Sequence, residues 1–324
     1  MSMSMTRRGG LCALGAAGVA VSLGAMAQPA AYPAQPIRLL VPYPAGGGSD
    51  YLARLLAPLM AQRLGQSLYV ENRPGGGGTV GAAAVTRIFP ADGYTVLLSD
   101  SNPLVVQSYD PLPYLAPVTL AARYDFILVS NPAVLRANNV KELVSESLAS
   151  ASGLNYASPG VGTTHHMGME LFARDSGARV VSIPYKGGGA ALQDLLAGQV
   201  ALMFLDRVSA RQYIESGKLR AIGVAGARRV PSMPNVPTIA EQGVTGFEVE
   251  GWLGFSVRKG TRPEVIQALH TAYASVSTDT ELHRKVDDAG INLISTTPKE
   301  FASFRSAYMA KWKKLIADRG LRPE

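Results

Sequence analysis

The sequence predicts an α/β protein in which parallel strands are covered by helices, and three observations predict it. Short apolar strand patterns alternate with amphipathic helix patterns along most of the chain. Three of the strand-to-helix connections are short and rich in glycine, as ligand-approaching turns of α/β sheets are. The single cysteine, Cys12, falls inside an N-terminal leader, so no disulfide framework replaces a buried core.

The alternation opens at residues 37–41 (IRLLV), a buried strand. Residues 49–64 place Leu52, Leu55, Leu56, Leu59, Met60 and Leu64 on one helical face, with Pro58 inside, where a kink is expected. A strand at 67–71, a helix at 79–88 and a strand at 94–98 follow. Further strands are expected at 126–130, 154–157, 180–184, 200–205 and 219–224. Helices near 140–149, 164–174, 190–197 and 208–215 lie between them, and Gly198 and Gly217 stand where helix-ending glycines belong. The last part is mainly helical, with candidate capping boxes at Thr261–Glu264, Thr278–Glu281 and Thr297–Glu300. In its final helix Phe301, Phe304, Tyr308, Trp312 and Leu315 form an apolar stripe that packs on a core. Residues 117–125 and the proline-rich run at 230–237 can each carry the chain between lobes, and two crossings are what a hinge requires.

The first 27 residues read as a signal peptide. Arg7 and Arg8 supply a positive start, residues 11–25 are uncharged and apolar, and Ala25-Met26-Ala27 is a small-x-small cleavage pattern. The apolar run is shorter than the roughly 20 residues that a membrane span needs. Cleavage leaves 297 residues, enough for two lobes, and lowers the formal charge from +7 to +5. The basic residues are scattered, which points away from nucleic acid and modestly favours anionic solutes. Export follows from the leader.

The glycine-rich turns are PYPAGGGSD (42–50), SPGVGTTH (158–165) and PYKGGG (184–189). Each follows a strand and opens a helix, where free N–H groups and the positive dipole end favour an anion. Gly76-Gly77-Gly78-Thr79-Val80-Gly81 fits a dinucleotide fingerprint in spacing, yet Asn72-Arg73-Pro74-Gly75 separates it from its strand, so it reads as a flexible turn opening a helix. No phosphate-loop or nucleophile-elbow motif occurs, and His165 and His166 lack the i, i+4 spacing of a metal pair. His270 and His283 stand alone, as surface or packing residues.

Taken in order, VPYPAGGGSD, LGQSLYVENRPGGGGTVGAAAV, DGYTVLL, HHMGMELF, IPYKGGGAALQDLLAGQV, GKLRAIGVAG, VPTIAEQG, GWLGFSV, TPKEFASF and KWKKLI resemble the Bug (TctC-like) family of extracytoplasmic solute receptors of tripartite tricarboxylate transporters. The resemblance implies a type II periplasmic-binding-protein fold, two Rossmann-like lobes with a ligand cleft between them. Residues 28–122 and 227–324 would form the first lobe and 123–226 the second. It implies a monomeric, non-enzymatic binding protein with no cofactor and no membrane span. That protein captures a small carboxylate (a dicarboxylate, amino acid or aromatic acid) and delivers it to the transporter's membrane components. An exported enzyme acting on a small anion, or a receptor feeding a sensor kinase, are the alternatives.

Carried over residue by residue, the first pincer is Tyr43, Pro44, Ala45, Gly46, Gly47, Gly48, Ser49 and Asp50. The opposing wall is Gly162, Thr163, Thr164 and His165 with Lys186, Gly187 and Gly188; Ser99, Ser101 and Asp206 complete the lining. Ser49, Thr163 and Thr164 are each either a helix cap or a ligand donor, and Asp50 buttresses its turn. Lys186 either pairs with a second carboxylate or is solvated. Two departures bear on the ligand: Leu205 and Asp206 replace the Asp and Asn that often follow this strand, and residues 99–118 are shorter than usual. Asp206 can engage an amino group or support its loop.

Overall fold

Two half-sheets share one long strand. A computed structural model describes residues 32–100, 110–288 and 290–320; the leader with Cys12, and Ser101, lie outside the described residues. In the first half, β1 (Ile37–Val41) runs parallel to β2 (Leu68–Asn72) on one side and β3 (Thr95–Asp100) on the other. In the second, β5 (Leu154–Ser158) runs parallel to β6 (Val180–Pro184) and β7 (Leu202–Asp206).

The shared strand is β4 (Leu115–Ser130), 16 residues long. As far as Asp125 it pairs antiparallel with β9 (Glu250–Arg258); from Phe126 onward it pairs antiparallel with β7 and with β8 (Arg220–Val224). The short β10 (Ile291–Leu293) also pairs antiparallel with β4, and β9 with β3. The strand order is therefore β2-β1-β3-β9-β4-β7-β5-β6.

Parallel pairing holds within the strand–helix–strand units and not for β4, β8, β9 and β10, whose pairings do not arise from a helical crossover between neighbours. Residues 117–125, expected to carry the chain between lobes, do lead from the first half toward the second, as part of the continuous strand β4. Pro117, which has no N–H to give a ladder, sits where the pairing with β9 shifts register.

Helices cover both halves: α1 (Gly48–Leu64), α2 (Thr79–Arg87), α3 (Val140–Ala149), α4 (Thr164–Ser176), α5 (Gly188–Leu196), α6 (Arg207–Glu215), α7 (Pro263–Val276), α8 (Thr280–Asp288) and α9 (Pro298–Arg319). Because Pro58 lies on the exposed face of α1, water can satisfy the carbonyl it leaves unpaired, and the helix continues through it. Leu52, Leu56 and Met60 of α1 bury against Leu39, Leu98 and Phe255. The second half buries Tyr156, Phe172 and Phe204 on one face and Val129, Leu195 and Met203 on the other.

After β8 the chain lingers on the second half. Ile239, Val244, Phe247 and Val249 join its core, and Phe247 meets Phe172 edge-on. Helix α9 then spans both bodies. Phe301 and Phe304 stand edge-on to Trp252 of β9, whereas Trp312 and Leu315 enter the core of the second half.

Of the three candidate capping boxes only the last forms. Thr297 accepts from the Glu300 N–H, and the Glu300 carboxylate accepts from the Thr297 N–H at 2.8 Å. Thr261 instead donates to the Arg258 carbonyl, and Asp279, one residue late, accepts from the Leu282 N–H. Thr297→Ala is expected to cost about 1 kcal/mol in urea unfolding, the usual worth of an N-cap.

Candidate functional site

The carboxyl ends of β1, β3, β5, β6 and β7 converge on one cavity of ≈ 830 Å³. Two proline residues end β1, and Gly46 turns the chain at φ +87°, a conformation that side chains resist. Gly47 caps α1 without a side chain, and the first bond inside the helix is Tyr51 N–H to Gly47 O. The amides of Gly48, Ser49 and Asp50 thus have no carbonyl within the helix to serve.

Asp50 holds this turn from behind. Its carboxylate accepts from Gly46 N–H, Arg54 Nε and Asn72 Nδ2, each at 2.9 Å, and Asn72 also donates to the Tyr43 carbonyl at 3.1 Å. Burial would raise the Asp50 carboxyl, but these hydrogen bonds from Arg54, Gly46 and Asn72 hold it below the usual carboxylate range. Ser49 lines the cavity and makes no hydrogen bond among the described residues, so it is not the cap of α1.

The opposite wall comes from the second half. Gly187, at φ +111°, donates its N–H to Pro159 O and caps α5, again with no side chain. The amides of Gly188, Gly189 and Ala190 are left as those of α1 are. An added Cβ would meet nothing within 4 Å at Gly188 or Gly189, since both face open cavity. Lys186 is exposed at the rim and forms no ion pair among the described residues.

The neighbouring helices are closed by their own side chains. Thr163 Oγ1 accepts from His166 N–H at 3.3 Å, capping α4. Asp206 accepts from Ser209 N–H and Oγ, both at 2.9 Å, capping α6. Of the helix starts of α1, α4, α5 and α6, two are therefore filled by side chains and two are open.

His165 borders the cavity, edge-on to Phe126 at 4.9 Å, with Nδ1 enclosed and unpartnered. Burial pushes its imidazole down to about 4, against the pull of the Asp206 carboxylate, so it is neutral at pH 7.

Of the sequence-derived set, Tyr43, Pro44, Ala45, Gly46, Gly47, Gly48, Ser49, Thr163, His165, Lys186, Gly187, Gly188 and Asp206 line this cavity. The structure does not bring Asp50, Ser99, Gly162 or Thr164 to it. Ser99 is buried with its hydroxyl donating to Gly254 O at 3.0 Å, and Gly162 turns its N–H toward His166 Nδ1. Ser101 lies outside the described residues.

The run from Gly76, expected as a turn opening a helix, does open α2 through a short 3-10 turn, and residues 74–78 also form part of the wall. Asp100, Tyr124 and Arg207 line it as well. The Tyr43 hydroxyl lies 2.6 Å from Asp100 Oδ1 and 3.2 Å from Gly77 O, tying the two glycine-rich turns together. Asp100 ends its strand as Asp206 does, a position at which ligands of α/β sheets gather. Among the described residues no three His, Cys, Asp or Glu side chains come together as a metal site, and no helix is long and apolar enough to cross a membrane.

Comparison with known proteins gives the same picture. The protein BugT of Bordetella pertussis is 32% identical over 329 residues, covering 98% of this chain and 99% of its own. Among solved structures, Rpa4515 of R. palustris with adipate superposes with a TM-score of 0.82 at 30% identity, covering 90% of this chain and 100% of that one. MatC from Rhodopseudomonas palustris with bound malate gives a TM-score of 0.77 at 27% identity, covering 88% and 100%. The fold is that of periplasmic binding proteins, and these relatives are solute-binding receptors, not enzymes. The model of the tripartite tricarboxylate transporter family receptor matches residues 52–321, and the chain belongs to that family.

Proposed function

We propose that this chain is a periplasmic clamp that captures a small carboxylate and delivers it to the membrane components of a tripartite tricarboxylate transporter. The observation that carries the reading is the pair of uncapped helix starts, α1 and α5, on opposite walls of one cavity. Each offers a set of N–H groups at the positive end of a helix, which is what a carboxylate requires. Relatives with bound adipate and bound malate support the ligand class.

The two halves supply the clamp's lobes. They are joined where β4 passes from β9 to β7 at Asp125–Phe126 and where the chain returns at Val249–Glu250. Two adjacent crossings let one lobe turn on the other, with α9 laid across both. Residues 227–249 belong with the second lobe on the packing of Ile239, Val244, Phe247 and Val249.

A thermal-shift screen with mono-, di- and aromatic carboxylates tests the reading. A ligand at a hundredfold excess over its Kd stabilises the native state by about 2.7 kcal/mol, an easily measured rise in melting temperature. No shift with any member of the panel would sink the carboxylate assignment.

A further inference from the structure

We propose that the cavity selects a zwitterionic ligand, an amino acid whose carboxylate sits at the open helix starts and whose ammonium reaches Asp206. The inference rests on the carboxylate-binding reading above and narrows it to one class.

Two basic side chains, Lys186 and Arg207, and two acidic ones, Asp100 and Asp206, line the cavity together with the neutral His165. Arg207 is turned to its own chain, with Nη1 donating to Ser232 Oγ and Nη2 to the Asp287 carbonyl, both at 2.7 Å. Asp100 is buried and faces the Tyr43 hydroxyl.

Asp206 differs from both. Ser209 fixes its two oxygens but takes only part of their accepting capacity, and no cationic side chain lies within ion-pair distance of it among the described residues. It is an oriented carboxylate on the wall of a ligand-sized cavity, held at the start of α6 but paired with no cationic side chain among the described residues.

Asp100 and Asp206 approach from different halves and bear on the same place. After burial itself, both carboxylates add to the rise of the Tyr124 phenol, which makes no hydrogen bond among the described residues. The cavity thus has two carboxylates, Asp100 and Asp206, near the Tyr124 phenol, and the positive helix starts of α1 and α5 with Lys186 elsewhere on its lining. A second ligand carboxylate beside Asp100 and Asp206 would meet a like charge away from bulk water; an ammonium would meet its partner. At the end of β7, Asp206 puts an acid at this wall and Leu205 is buried behind it.

Isothermal titration of the full mature protein with matched pairs decides the matter: glutamate against glutarate, aspartate against succinate, 4-aminobutyrate against butyrate. The amino member of at least one pair is expected to bind tenfold or more tighter. Asp206→Asn, which keeps an N-cap acceptor for Ser209, is expected to close that gap. Asp206→Ser, a second capping residue, guards against a folding defect specific to the first variant. A gap that survives both substitutions, or tighter binding of the desamino acid to the wild type, overturns the inference and leaves the carboxylate reading standing. Binding of neither member of any pair overturns both.

Discussion

Gly47→Val is expected to weaken carboxylate binding by a hundredfold or more while the protein melts within a few degrees of the wild type. The substitution is tolerated by the fold because Gly47 has extended backbone, φ −82° and ψ 170°, and its added Cβ would meet only the Pro44 carbonyl, at 3.8 Å. Its two further methyls would then stand in the cavity, in front of the Gly48 and Ser49 amides. A hydrogen bond to a charged group contributes about 1.5–3 kcal/mol, so losing two at the α1 start removes at least the ~2.7 kcal/mol that a hundredfold requires. Gly46→Ala would be a poorer probe, since φ +87° strains any side chain and mixes a folding defect into the result. Calorimetry and circular-dichroism melts on one preparation separate the two effects. Undiminished affinity in a folded Gly47→Val protein would show that the α1 start does not hold the ligand.

What the sequence displayed of this site was its backbone. Glycine runs after strands are visible in one dimension because they express a local requirement, an open turn before a helix, and β1–α1 and β6–α5 have it. Asp100 and Tyr124 were missed for the opposite reason. They join Asp206 only because β4 is shared between two half-sheets, a pairing between residues far apart in the chain.

The same sharing explains why residues 117–125 showed as a crossing but not as a strand. A strand that leaves one core and enters another carries no single alternation through Arg123, Tyr124 and Asp125 at the changeover. Asn72 is the informative middle case. It lies within the ENRPG segment, yet its role, bridging Asp50 and the Tyr43 carbonyl, needs the neighbouring turn to be in place. The capping boxes show the limit of local pattern: Thr261 and Thr278 have the right spacing, but only Thr297 is joined to its helix by the bonds that the motif promises.

His165 is expected to make the protein less stable as the pH falls from about 6.5 to about 4. Burial holds the folded imidazole at about 4, with Asp206 opposing, whereas in the unfolded chain it titrates near the ordinary value of about 6.5. Above that value both states are neutral and no stability is lost. Below it the unfolded chain takes up a proton that the folded one refuses, so unfolding becomes easier; the loss is complete once the folded imidazole also titrates. At about 1.4 kcal/mol per unit, and with cavity water taking back part of the effect, the loss is on the order of 2–3 kcal/mol. Carboxylates such as Asp50, held low by their hydrogen bonds, add their own acid loss, so the observable is the difference between the wild type and His165→Gln. Urea unfolding at half-unit steps should show the two stabilities diverging from neutral pH down to about pH 4, with the wild type losing more. Parallel profiles over that range would mean that His165 meets bulk water. Asp206→Asn should steepen the wild-type loss, because it removes the one charge that favours the imidazolium and leaves the burial in place.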